Sequence, residues 1–498
     1  MPDGADVSGE RAIREIVVAG SGLAGLYAAS FLKRRVPGAT VTIVGPPPAD
    51  ALSDRLHATL PSIVGFHADL GIDEGQVFMG AGAAFRLGTA FEGWTGDGSA
   101  YVHAYGEVGR PVGITPFYHH WVRQARSGKV GPFDSHSPAA MLGRANRFVH
   151  PVDDPNSPLS TYEYGLVIDP ALHRELMRAF ARHVGVIERT ARVADVRLAG
   201  EDGHIEALLL DDGSEIGGHL FVDCTGPAAL VRSKLDDRFE DWSQWLPCDR
   251  VRFATGPGSA DPPSLDTAAT HAAGWAWQSQ SRASGSRGLV YASAHLGEDE
   301  AEAMLPDSSA LGLRPGRRSQ PWFRNCVAVG DAAVTIDPLE WTNLHLAHSA
   351  LDRLVAKMPD RDWSPVELWD YNRECAAEAD RARDFAVLHY VTASRGEPFW
   401  RDAAAAAPPA SLAHSLALFR DRGRLPIYEE ETFTRHSWTS VLLGQGVMPR
   451  RVDPLIDVVP PEQSERAMTQ IREGIAGMVP NLPTQGAYLR QLSSGAQK

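Results

Sequence analysis

A chain of 498 residues, 43% hydrophobic and 22% charged, is long enough for two or three domain-sized units with buried cores. Sixty-two acidic against 48 basic residues leave a net charge of −14, which argues against a long phosphate-contacting surface, so nucleic acid is not an expected partner. Gly and Pro follow no short period, and neither a leader segment nor a run of 18 apolar residues stands out, so a cytoplasmic protein that does not span a membrane is expected. Cys224, Cys248, Cys326 and Cys375 form no CxxC pair, and no metal site or disulfide framework is expected.

Residues 16–19 form a short β-branched run that enters Gly20-Ser21-Gly22-Leu23-Ala24-Gly25 and then an Ala-rich apolar stretch. This pattern predicts strand, turn and helix, with residues 41–44 as the second strand of a βαβ unit. Gly20 permits the tight turn, Gly22 lets the backbone approach a pyrophosphate, and Gly25 lets the helix pack on the strand. The helix N-terminus would face the phosphates with free N–H groups. Gly45 ends the second strand where an acidic residue normally holds the adenosine ribose, and Pro46-Pro47-Pro48 follow.

Residues 131–158 are rich in Pro, Ser, Asn and Asp and read as a long surface loop or lid. An apolar run at 207–210, a turn at 211–213 and residues 220–223 predict strands, the last returning to the nucleotide sheet. Residues 326–329 read as a buried strand that leads into Gly330-Asp331, and helices are predicted over 344–354, 369–390 and 411–419. An Asp at such a strand end can accept hydrogen bonds from ribityl hydroxyls, or simply cap a helix.

Several blocks in order extend this reading. They are Phe85-Arg86-Leu87-Gly88 with Phe91 and Trp94, residues 221–226, Gly274-Trp275-Ala276-Trp277, Val290-Tyr291-Ala292-Ser293 and residues 325–346. Further on come Arg383-Asp384-Phe385 with Leu388-His389-Tyr390, Pro398-Phe399-Trp400, Ser437-Trp438 and residues 444–449. Together they resemble the flavin-dependent tryptophan halogenase family over most of the chain. The resemblance implies an α/β fold: a Rossmann-like FAD-binding module of the glutathione-reductase or aromatic-hydroxylase type, with a mostly helical substrate module. The expected division is 1–84 with 165–380 for FAD and 85–164 with 381–498 for substrate. It further implies reduced FAD from a separate flavin reductase, a small aromatic substrate, and a homodimer as one possible assembly.

Carried over residue by residue, the resemblance assigns cofactor contacts to Gly20, Gly22, Gly25, Gly330 and Asp331. It places His103, Tyr105 and Trp438 against the substrate, and Glu340 as the family's catalytic carboxylate. The family's lysine is here Arg86, which stays protonated and is a poor amine nucleophile. Trp341 stands where the family has a small Ser beside the halide, and residues 54–61 replace a glycine-containing loop that passes over the flavin. The resemblance leads to an FADH2- and O2-dependent oxygenase of an indole-like metabolite that does not halogenate. The alternatives are a halogenase with an Arg86–Glu340 pair, and a flavin-free binding protein or acid–base catalyst.

Overall fold

The computed structural model describes residues 11–128 and 130–495, and its architecture grows from the N-terminal βαβ unit. Strand β1 (Glu15–Ala19) buries four of its five residues, and helix α1 (Leu23–Arg35) is buried from Leu23 through Leu32. Lys33, Arg34 and Arg35 close the helix, where cations complement its negative dipole end. Strand β2 (Thr40–Val44) lies parallel to β1, with Ile16 opposite Val41. On the other flank, Leu220–Asp223 and then Cys326–Ala328 continue the parallel sheet, and Ile187–Arg189 closes the far edge. The Trp322–Phe323 edge strand runs antiparallel to Cys326–Ala328. Both faces need cover in such a sheet. Helix α1 sits on one face, against helices Pro170–His183 and Asn343–Ala356.

A second sheet has seven strands in the order Ser309–Gly312, Arg250–Pro257, Ser284–Tyr291, Gly274–Gln280, Leu265–His271, Gly88–Glu92 and Ala100–Ala104. Its register matters for the site. Asp266 lies opposite Thr89, and Thr89 opposite His103, so these three side chains share one face in a row. This sheet joins residues 88–104 to residues 250–312, so its strands come from both of the expected modules, 85–164 and 165–380.

After residue 360 the chain is helical, as its spacing predicts, and Pro365–Thr392 is one 28-residue helix. Its C-terminal half is buried on every side from Arg381 to Tyr390. Its charges there are paired: Arg381 and Arg383 both donate to Asp384 at 2.8 Å.

The expected lid at 131–158 is a correction. Ser137 caps a helix at Pro138–Arg144, and Phe133, Asp134 and Leu142 are buried. Asp134 accepts from the Val102 amide at 2.9 Å and from Arg144, which fixes the strand carrying His103. Local capping chemistry, Ser before Pro, overrides the loop-like composition. Among the described residues, no helix is long and apolar enough to cross a membrane.

Candidate active site and cofactor groove

Gly20, Gly22, Gly25, Gly330 and Asp331 lie at neighbouring strand ends of the parallel sheet. Gly20 has φ +93°, and a Cβ there would lie 2.4 Å from the Cys224 carbonyl oxygen, so only Gly makes this turn. The space beyond Gly22 is filled from within. A Cβ on Gly22 would lie 2.1 Å from Asp54 Oδ2, and Asp54 Oδ1 accepts the Leu23 amide at 2.9 Å, at the N-terminus of α1. Asp331 accepts the Leu52 amide. The short 3₁₀ turn Leu52–Asp54 therefore bridges the two positions and is buried. Burial, together with the nearby Asp54 charge, pushes the Asp331 carboxyl up to about 7. Burial also raises Asp54, against the opposing Leu23 amide and Arg174.

Arg86 ends strand Ala84–Arg86 and is completely buried. Its Nε donates to Asp266, Nη2 to Thr89 Oγ1 at 2.5 Å, and Nη1 to the Thr59 carbonyl at 3.2 Å. The guanidinium also stacks on Tyr105 at 5.1 Å and Trp341 at 5.6 Å. Asp266 accepts a further hydrogen bond from Ser279 at 2.7 Å. The expected Arg86–Glu340 pair is thus a correction, because the sheet register delivers Asp266 and Thr89 to Arg86 instead.

Glu340 sits in the 3₁₀ turn Pro338–Glu340, facing the 28-residue helix. His389 from that helix meets Glu340 Oε1 at 2.6 Å, and His103 Nδ1 meets both carboxylate oxygens at 3.0 and 3.1 Å. One rung away, Tyr390 donates to Asp337 at 2.5 Å. The hydrogen-bond directions form a consistent chain. Thr392 donates to Gln445 Oε1, Gln445 donates to Tyr101, and Tyr101 donates to His389 Nδ1 at 3.1 Å. His389 then presents its Nε2–H to Glu340. Burial alone would raise Glu340, but His103 and His389 outweigh it and hold its carboxyl down at about 2. His103 Nδ1 is committed to the carboxylate, and its Nε2 is buried with no hydrogen-bond partner among the described residues.

Trp341 follows at φ +59°, a left-handed conformation that a bulky side chain rarely adopts. Its ring is buried edge-on to Trp277, with centroids 5.7 Å apart. It fills the place beside Glu340.

The substrate candidates separate. Tyr105 lines a cavity of about 550 Å³ with Leu60, Tyr162, Tyr164, His345 and Phe433. His103 lies one layer behind, its ring 6.0 Å from Tyr105 and 5.9 Å from Phe433. Trp438 lines a neighbouring cavity of about 280 Å³ with Arg381, Tyr428 and Glu431, and the two cavities share Phe433 and Thr434. Asp266, Tyr101 and the role of Gln445 escape sequence reasoning. His389 and Gln445 stand in quoted blocks, whereas a lone Asp on a strand carries no signal.

The profile of the family described as Tryptophan halogenase matches residues 15–461. The chain belongs to this family. Tryptophan 6-halogenase SttH of Streptomyces toxytricini is 26% identical over 518 residues, covering 95% of this chain and 97% of that protein. Two solved structures, BrvH, a flavin-dependent halogenase from Brevundimonas sp. BAL3, and Xcc4156, a flavin-dependent halogenase from Xanthomonas campestris, have TM-scores of 0.92 and 0.90. They are 34% and 32% identical, and each alignment covers 97% of this chain and 99% of the relative. The fold is accordingly that of the family's FAD-binding Rossmann-like enzymes, and the function is of the flavin-dependent oxidoreductase type. Family members use FADH2 supplied by a separate flavin reductase and act on small aromatic substrates. The glycine turn and Asp331 are the residues that would hold FAD, and in the arrangement seen here Asp54 and Leu52 take hydrogen-bonding positions between them.

Proposed function

We propose that this chain oxidises an electron-rich, indole-like aromatic without halogenating it. One observation carries the reading: the group at the family's lysine position is a guanidinium bound to Asp266, Thr89 and the Thr59 carbonyl. A side chain so held is neither an amine nor free to move, so it cannot carry a halogen to the substrate. Trp341 supports the same conclusion, since its indole occupies the neighbourhood of a small Ser in the family.

The retained chemistry is that of a base. Oxygen insertion at a ring carbon leaves a proton to be removed, and His103, whose ring lies behind Tyr105 and Phe433, reaches it when one of these two side chains swings aside. Glu340 orients His103 through Nδ1 and balances the imidazolium that forms, while His389, Tyr101 and Gln445 hold Glu340 in position. A cavity of about 550 Å³ falls in the range that small aromatic ligands occupy. The protein is proposed to work in the cytoplasm with a flavin reductase as partner.

Halogenation is the second reading, favoured by the retained Glu340. Supplying indole, FAD, a reductase and O2, with and without bromide, separates the two by product mass. A product heavier by one oxygen atom and indifferent to bromide is expected, and a bromide-dependent brominated product refutes the proposal. Glu340→Gln, which removes the charge that orients His103 and His389, should lower oxygenation about 100-fold, the scale of a misplaced catalytic group, with a smaller effect on the unfolding midpoint. Unchanged turnover would remove Glu340 from the mechanism.

A further inference from the structure

Residues 49–56 stand between the two halves of the cofactor groove, and their contacts imitate a ligand. A carboxylate at a helix N-terminus occupies the position that the helix dipole and free amides offer to a phosphate. Here that carboxylate is Asp54, bonded to the Leu23 amide, with its other oxygen packed against Gly22. At the other end of the same short turn, Asp331 takes the Leu52 amide. We propose that this segment is an internal latch on the groove: Asp54 substitutes for a pyrophosphate, the Leu52 amide substitutes for a ribityl donor, and flavin binds only by displacing both. This inference rests on the flavin-dependent reading above.

Three further observations indicate that the latch can open. Asp54 Oδ2 and Asp331 Oδ1 are buried and have no hydrogen-bond partner among the described residues, so the closed form leaves two acceptors unsatisfied. The two carboxyls also oppose each other electrostatically, which weakens the closed arrangement. The segment has defined limits. Ala49 and Asp50 are exposed after the Pro46-Pro47-Pro48 run, whereas His57 and Thr59 are tied to the sheet through Ile168 and Leu166 at 2.8 and 2.9 Å. Between those limits the remaining ties include Arg174 to Asp54 at 3.3 Å and Arg55 to the Ala49 carbonyl at 3.1 Å. Withdrawal of residues 49–56 would expose Leu52 and Leu56, while the pairing of β1 with β2 uses none of the segment's residues.

The test is an anaerobic titration of the full chain with oxidised and with reduced FAD, for the wild type, Asp54→Gly and Asp54→Asn. Hydrogen exchange over residues 49–56 is followed in parallel, and circular dichroism checks that each variant folds. Asp54→Gly should bind flavin at least about 10-fold more tightly. Asp54→Asn, which keeps an acceptor for Leu23 but loses the charge, should fall between. The Leu52 amide of the wild type should be protected without flavin and exchange faster at saturation. Equal affinity in all three proteins, or unchanged Leu52 protection at saturating flavin, overturns the latch. Absence of binding in every variant up to about a millimolar overturns both the latch and the flavin-dependent reading. Tighter binding by Asp54→Gly with no oxygenated product in any variant leaves the latch standing and sinks only the proposed activity.

Discussion

Asp266→Ala provides the most demanding test of the idea that Arg86 is structural. Both side chains are at most 2% exposed, so the substitution leaves a guanidinium buried without a counter-ion, holding only Thr89 and the Thr59 carbonyl. Breaking a buried pair from one side typically costs about 3–5 kcal/mol. Arg86→Met leaves Asp266 buried with the Ser279 hydroxyl and should cost about as much. The double variant Arg86→Met with Asp266→Ala removes both charges, and should return to within about 2 kcal/mol of the wild type. The coupling across this cycle is therefore about 4 kcal/mol or more. Urea unfolding followed by tryptophan fluorescence reads it. With a slope of about 3 kcal/mol/M, a loss of 4 kcal/mol moves the midpoint by about 1.3 M. Additive effects, or single substitutions costing less than about 1 kcal/mol, would show that water reaches the pair and that Arg86 is free to act chemically. Arg86→Lys should lose about 1–2 kcal/mol, since one ammonium cannot reproduce the three-way contact or the stacking on Tyr105 and Trp341. Beside Asp266 it should remain protonated and yield no brominated product.

Stability should fall as pH drops from about 6.5 towards 4. Burial lowers His67 from 6.5 to about 4 and lowers His173 and His348 further, so between these limits the unfolded chain binds protons that the folded chain refuses. At pH 5.5 each such histidine costs about 1.4 kcal/mol relative to high pH, partly offset by Asp331 and Asp337, whose raised values act in the opposite direction. Unfolding midpoints at pH 8 and 5.5 should differ accordingly. His348→Leu, which removes an imidazole with both nitrogens unpartnered among the described residues, should narrow the gap, and an unchanged gap would refute its contribution. Trp341→Gly relieves the left-handed backbone but loses a buried indole, for a net cost of about 2–4 kcal/mol. The space left beside Trp277 should then take up free indole, seen as a raised melting temperature on adding it; no shift would mean that the site collapses. Gly20→Ala should lose several kcal/mol through the clash with the Cys224 carbonyl, and a melting temperature like the wild type would contradict the turn geometry.

The parts of the fold that were legible are those whose signal is local. The strand–turn–helix at residues 15–35, the parallel strands at 40–44, 220–223 and 326–328, and the late helices all follow from runs and spacings inside a single window. The seven-stranded sheet was not legible. Strands such as Leu265–His271 are rich in Thr and Ala and carry Asp266 into the interior, so no apolar alternation marks them. Arg86 and Asp266 lie 180 positions apart, and no motif connects them. Glu340 was identified, but its partners were not, because His103 and His389 reach it from a strand and a helix that only tertiary structure brings together.

The glycine turn shows why a preserved motif and a preserved cofactor groove are separate matters. Gly20 must be Gly because the neighbouring strand's carbonyl at Cys224 leaves no room for a Cβ. Gly25 must be Gly because a Cβ would strike the Gly20 carbonyl at 1.8 Å. Both requirements arise from packing a helix onto a strand, and they persist whether or not a phosphate is ever bound. Gly22 is the informative position, since the atoms its Cβ would meet belong to Asp54 and Pro48, outside the turn itself. A glycine kept open for a ligand is here kept open for a carboxylate of the same chain. The sequence change that matters for the cofactor therefore lies some thirty residues downstream of the motif, in the segment around Asp54 that supplies a negative charge of its own to the helix.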